Sequence, residues 1–182
     1  MIEYESHQSL MTLEKIVELS VVDGYLSLRE NAELNYISVI NRHKGYDTHM
    51  TGVIEKFHLN EGAVAGTVSH DSHNLTVVYK DSRDARTAIE EIRKMKGEIV
   101  LVCNGKITKI ALPIAGLLTD KEPDEFISQV NVLKKELKKH GIEYKNPIMR
   151  LATSALPAAP ILKITDMGLV NTFTQQFVSL FP

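Results

Sequence analysis

Apolar residues alternate with polar ones, or form short runs, through the first part of the chain, and later recur at spacings of three and four. Residues 15–22 alternate loosely around Ile16, Val17, Leu19 and Val21 and stop at the turn dipeptide Asp23-Gly24. β-Branched and apolar residues predict strands over 36–41 and 51–57. Residues 63–69 and 75–79 predict two more, flanking a polar stretch that is either their connection or a bulge within one strand.

The period then changes. Ala85, Ala88, Ile89, Ile92 and Met95 form one stripe and predict a helix over about 82–96. Asp81 is its N-cap candidate, Asp84 complements the dipole, and Gly97 ends it. Residues 99–103 and 106–112 are apolar runs joined by Asn104-Gly105, a strong hairpin signal. Phe126, Val130, Leu133 and Leu137 predict a second helix over 123–140, with Pro123 in its first turn and Gly141 beyond its end. Lys134, Lys135, Lys138 and Lys139 read as a solvated face near its negative end.

Prolines at 147, 157 and 160 predict a short helix near 147–155, then an extended crossing, and residues 174–180 a last strand. Residues 1–12 read as a tail or linker and 13–182 as one domain. Paired strands with two main helices predict an α+β fold with a largely antiparallel mixed sheet. Gly66 and Gly116 mark bends or close backbone approaches.

Composition narrows the functional classes. A chain of 182 residues buries a real core, and 43% hydrophobic with 24% charged residues fits a soluble globular protein. A net charge of −2 offers no electrostatic footprint for nucleic acid. No apolar run approaches the about 18 residues of a membrane span. The start, MIEYESHQ, is acidic and unlike a signal peptide. One cysteine, Cys103, excludes an internal disulfide and suits a reducing compartment, so a cytoplasmic protein is expected. The absence of Trp argues against a base-stacking platform.

Candidate chemistry is concentrated in residues 62–74, GAVAGTVSHDSHN. An apolar run suited to a buried strand ends in His70, Asp71, Ser72, His73 and Asn74, groups that cannot be buried without partners. A self-contained Ser-His-Asp triad does not fit. In an extended segment His70 and Ser72 share one face and Asp71 and His73 the other. A curled segment would let His70 and His73, with Asp71, hold a divalent ion, with His43 or His49 adding a ligand. Alternatively these groups cap backbone in a tight turn, with Asn74 making Asx-type bonds. Arg42 and His43, in the segment Arg42-His43-Lys44-Gly45, form a second polar group at a strand end. Residues 112–117 read as a packing or interface element.

The same stretches carry a resemblance. GAVAGTVSHDSHN is similar to a segment of the C-terminal domain of adenine deaminases, microbial enzymes that convert adenine to hypoxanthine and ammonia. INRHKG at 40–45 resembles another, with Asn41 where an acidic residue is usual. LPIAGL at 112–117, DMGL at 166–169 and FVSLF at 177–181 resemble the family's later segments. The matches run in order over about residues 14–181.

The resemblance implies the amidohydrolase superfamily, whose chemistry sits in a metal-bearing β/α barrel. Such a barrel commonly needs about 250 residues, and none of the seven histidines has another two positions on, so the superfamily's His-x-His pair is absent. The other deaminase class, with His-x-Glu and Pro-Cys-x-x-Cys, is also excluded. The expectation is an isolated C-terminal domain, inactive alone and without a cofactor. Its barrel partner, in cis or as a separate chain, would hold manganese, iron or zinc. Residues 70–74 would line or shape the barrel entrance, and a homo-oligomer is expected. A stand-alone purine- or metal-binding module, or a structural or oligomerisation domain, are the alternatives.

Overall fold

The structure, a computed structural model, describes residues 1–6, 9–43 and 47–181. In chain order the strands and helices are β1 (Ile2–Tyr4), β2 (Thr12–Glu14), β3 (Ser20–Val22), β4 (Tyr25–Ser27), β5 (Leu34–Ile40), β6 (His49–Glu55), β7 (Ala63–Gly66), β8 (Leu75–Tyr79), α1 (Ser82–Met95), β9 (Glu98–Cys103), β10 (Lys106–Ala111), α2 (Pro123–Lys139), α3 (Pro147–Thr153), β11 (Leu162–Thr165), β12 (Gly168–Asn171) and β13 (Gln176–Val178). Eight strands form the main sheet in the order β10-β9-β7-β8-β5-β6-β1-β2. All neighbours in it are antiparallel except β1 and β6. The expected α+β fold with a largely antiparallel sheet is therefore present.

The central strands are covered on both faces, which is why they read as apolar runs rather than clean alternation. Ala63, Ala65, Leu75, Val77, Val100 and Val102 pack against Ala85, Ala88 and Ile92 of α1. On the opposite face Val64, Val78, Ile99 and Leu101 join Ile37 and Val39 of β5, Leu133 and Leu137 of α2 and Leu151 of α3. Each of the valine, leucine and isoleucine side chains among them contributes about 1.5–3 kcal/mol on burial.

Local chemistry sets the helix ends. The Asp81 side chain accepts from the backbone N–H groups of Arg83 and Asp84 at 2.8 and 3.0 Å, as an N-cap does. The capping residue at the far end is Lys96, in the left-handed conformation, and Gly97 follows. A Cβ on Gly97 would lie 2.1 Å from the Gly116 Cα, so two backbones touch there. Asp84 does more than face a dipole. It is buried and accepts from the N–H groups of Asn104 and Gly105 at 2.9 and 3.1 Å, which pins the β9–β10 turn.

Several expectations change. Within residues 1–12, read as a tail or linker, Ile2 and Tyr4 are fully buried, β1 lies parallel to β6, and Thr12 opens β2. The strand expected over 15–22 shortens to β3, hairpin-paired to β4 across Asp23-Gly24. The extended crossing after α3 and the last strand become a separate three-stranded sheet, β11-β12-β13. β11 packs beside the N-terminal strands, where the Thr12 hydroxyl donates to Leu162 O at 2.6 Å.

Candidate functional site

The polar stretch is a turn between β7 and β8, built by backbone bonds. His70 N donates to Ala152 O at 2.8 Å, and His73 N to Ser69 O at 2.6 Å. Ser69 is fully buried, with its hydroxyl 2.9 Å from the Thr76 hydroxyl. The Ser72 hydroxyl accepts from Asn74 N at 3.3 Å, so it serves the turn. His70 and His73 stand with ring centroids 6.2 Å apart. Asp71 and Ser72 are exposed, while Asn74 is buried.

Residues remote in sequence close around this turn. Arg42, just past β5, donates through Nε to His73 O at 2.5 Å and through Nη2 to Ala115 O at 2.8 Å. One guanidinium thus clamps the 69–74 turn and the 112–117 segment. Its planar fork suits two acceptors at once. Partial burial lowers the Arg42 pKa from its ordinary value. His43 Nε2 donates to Ser72 O at 2.8 Å, which fixes the tautomer with a proton on Nε2. Thr67 Oγ1 donates to Gly116 O at 2.6 Å and anchors the same segment from β7's end.

Asp166, in the turn between β11 and β12, is the hub. Its Oδ1 accepts from Asn74 Nδ2 at 3.0 Å; its Oδ2 accepts from Asn41 Nδ2 at 3.2 Å and from the Thr48 hydroxyl at 2.5 Å. Asn41 Oδ1 accepts from His43 N at 2.8 Å. Asn41, standing where the resemblance leads one to expect an acidic residue, is thus a donor to a carboxylate, a part a second carboxylate would not play. Two buried atoms, His73 Nδ1 and Asn74 Oδ1, have no protein hydrogen-bond partner among the described residues. Buried polar atoms ordinarily have partners, so this sheet end carries unused bonding capacity.

The structure therefore brings His70, Asp71, Ser72, His73 and Asn74 together with Arg42 and His43 at one sheet end. Lys44 and Gly45, expected in the second group, lie outside the described residues. His49 opens β6 and is exposed. The sequence reading singled out neither Asp166 nor Thr48; the only signal was that Asp166 begins the segment DMGL. Among the described residues, the group of three potential ligands converging within 4.8 Å is Glu61, Cys103 and His140, not one containing His70 or His73.

Comparison with known proteins agrees with these segments. The family model for the adenine deaminase C-terminal domain matches residues 9–176. The adenine deaminase of Desulfatibacillum aliphaticivorans is 40% identical over 146 residues, covering 80% of this chain and 26% of the relative. That of Thermosipho africanus (strain TCF52B) is 38% identical over 174 residues, covering 95% of this chain and 30% of the relative. That of Staphylothermus marinus is 33% identical over 174 residues, covering 94% and 29%. The chain spans 26–30% of the length of these relatives.

Proposed function

We propose, for a chain that belongs to the adenine deaminase C-terminal domain family, that it is the accessory part of an adenine deaminase of purine salvage in the cytoplasm. With a metal-bearing amidohydrolase barrel, in cis or as a separate chain, it would support hydrolysis of adenine to hypoxanthine and ammonia. The observation that carries this reading is the convergence of residues 41–43, 69–74, 115–116 and Asp166 at one sheet end, with buried bonding capacity left on His73 and Asn74. These are the stretches on which the family resemblance rests, and here they build one surface.

The reaction consumes water and releases ammonia, so the departing nitrogen must gain a proton. Histidine suits proton exchange near neutral pH, and we place His70 and His73 at the entrance of the barrel, where they shape access and hydrogen-bond the facing domain. A divalent manganese, iron or zinc ion held by the barrel would supply water activation. The turn does not fit that ion: no third His, Cys, Asp or Glu completes a ligand group with His70 and His73 among the described residues. This chain alone is therefore expected to be inactive.

The test is an assay for ammonia and hypoxanthine with the chain alone, with a separately expressed barrel, and with His70→Ala and His73→Ala variants. Turnover only with the barrel, reduced by either variant, supports the proposal. Turnover by the chain alone, or full turnover by both variants, overturns it.

A second reading, an assembly domain, rests on exposed aromatics near the β3–β4 hairpin and the C-terminal sheet. Tyr25, Phe173, Phe177 and Phe181 are 62–78% exposed. Phe181 lines one apolar groove with Val21, Leu26, Val178 and Leu180, and grouped exposed apolar side chains suit a surface that is covered in an assembly. Sedimentation of the chain with and without the barrel separates self-association from barrel docking.

A further inference from the structure

Three side chains from three elements meet at the sheet end opposite the 69–74 turn. The register Ala63↔Val102 and Gly66↔Ile99 sets the start of β7 beside the end of β9. Glu61, just before β7, therefore reaches Cys103, the last residue of β9. His140, the C-cap of α2, arrives from the third side. Cys103 Sγ lies 3.5 Å from His140 Nδ1, which lies 3.1 Å from Glu61 Oε1. One ligand atom from each lies within 4.8 Å of the others.

These separations suit a metal ion. Tetrahedral zinc, with Zn–S of about 2.3 Å and Zn–N and Zn–O of about 2.0–2.2 Å, holds its ligand atoms roughly 3.3–3.6 Å apart. Small side-chain movements convert the observed cluster into that arrangement. One Nδ1 faces both the thiol and the carboxylate, and the carboxylate also accepts from the thiol, so the three groups share one small space. A central cation would engage all three groups at once.

The surroundings hold the ligands in place, as outer partners of metal sites do. Asn104 Nδ2 donates to Glu61 Oε2 at 3.1 Å and lies 3.7 Å from Cys103 Sγ. Asn60 N donates to His140 O at 2.9 Å, tying the Glu61 loop to the end of α2. A Cβ on Gly62 would lie 2.3 Å from Val102 O, so only glycine lets this loop lie against β9.

We propose that Glu61, Cys103 and His140 form a binding site for a divalent transition metal of the zinc class, with the fourth position open to water beside the exposed Glu61. Thiolate and imidazole favour such an ion over magnesium or calcium, and the thiolate and carboxylate balance its charge. The ion would staple the Glu61 loop, β9 and α2, away from the 69–74 turn. Binding releases the Cys103 thiol proton to solvent.

The test is titration of the tag-free, chelator-stripped full chain with Co(II), followed by Zn(II) displacement. One equivalent of Co(II) is expected to give a thiolate-to-cobalt charge-transfer band and a tetrahedral visible spectrum, both erased by zinc. Cys103→Ser should abolish the band. Glu61→Gln, an isosteric change at an exposed residue that leaves the core intact, should weaken binding by at least the about 10–100-fold typical of losing only an outer-shell partner. His70→Ala with His73→Ala should leave it unchanged. Absence of the band in the folded wild-type chain, unaltered affinity in Glu61→Gln, or loss of the band in the His70/His73 variant would each overturn the assignment.

Discussion

Asn74 donates its side-chain amide to Asp166 at 3.0 Å, although the two are 92 positions apart in sequence. The bond joins the polar turn to the β11–β12 turn. Because Asn41 and Thr48 donate to the same carboxylate, it also fixes the ends of β5 and β6. The shape of the sheet end depends on a residue from the last quarter of the chain.

Asp166→Ala leaves the buried Asn74 amide without its acceptor, at an expected cost of about 1–3 kcal/mol. Urea unfolding followed by circular dichroism measures it, and Asp166→Asn should recover part of the loss. An unchanged midpoint in Asp166→Ala would show that the hub is dispensable.

Arg42→Lys keeps the charge but not the fork, and an ammonium cannot reproduce the spacing to His73 O and Ala115 O. Losing one of the two bonds should cost about 0.5–1.5 kcal/mol. Amide exchange should speed up in residues 69–74 and 113–117 while α1 stays protected. Equal exchange across both segments would count against the clamp.

Glu98 is fully buried, and neither carboxylate oxygen has a hydrogen bond among the described residues; Lys109 Nζ stands 3.7 Å away. Burial, partly offset by Lys109, holds its carboxyl above the usual carboxylate range. The folded state therefore binds this proton more tightly than the unfolded chain. The penalty for the charged form is full above the folded pKa and disappears as pH falls through it. Glu98→Gln should raise stability at neutral pH, with the gain shrinking on acidification. Denaturant midpoints measured down the pH scale decide; a gain that grows toward low pH would refute the assignment.

Lys163 is fully buried, with Nζ donating to Leu10 O at 2.9 Å. Burial, reinforced by Arg150, pushes its ammonium from 10.5 down to about 8. The unfolded chain binds this proton more tightly, so the cost of the buried charge is full below about 8 and relieved as pH rises toward 10.5. Lys163→Met should gain up to about 3 kcal/mol near neutral pH, less about 1 kcal/mol for the lost bond. Thermal melts from pH 7 to about pH 10 should show the advantage narrowing; a constant offset would mean that the charge is not responsible.

Local patterns were legible where a long period or a specific turn residue carried them. The stripe in α1 and the stripe in α2 placed both helices to within one residue, at Ser82–Met95 and Pro123–Lys139. Asn104-Gly105 marked its hairpin, and Asp81 its cap. β1 and β2 have three residues each, too few to show a period, and β1 takes its place only because β6 offers a parallel edge.

The sequence by itself determined the fold class, the family, both main helices and a polar turn at 69–74 that had to find partners. Turn chemistry and helical period act over a few residues, so they can be read along the chain. Only the tertiary structure decided which partners those were. Asp166 reaches Asn74 because β11 and β12 fold back over the sheet, and Glu61 reaches His140 across 79 positions because the start of β7 lies beside the end of β9 near the end of α2. Strand order and register set such meetings through the packing of two faces at once, and no local stretch of sequence encodes that.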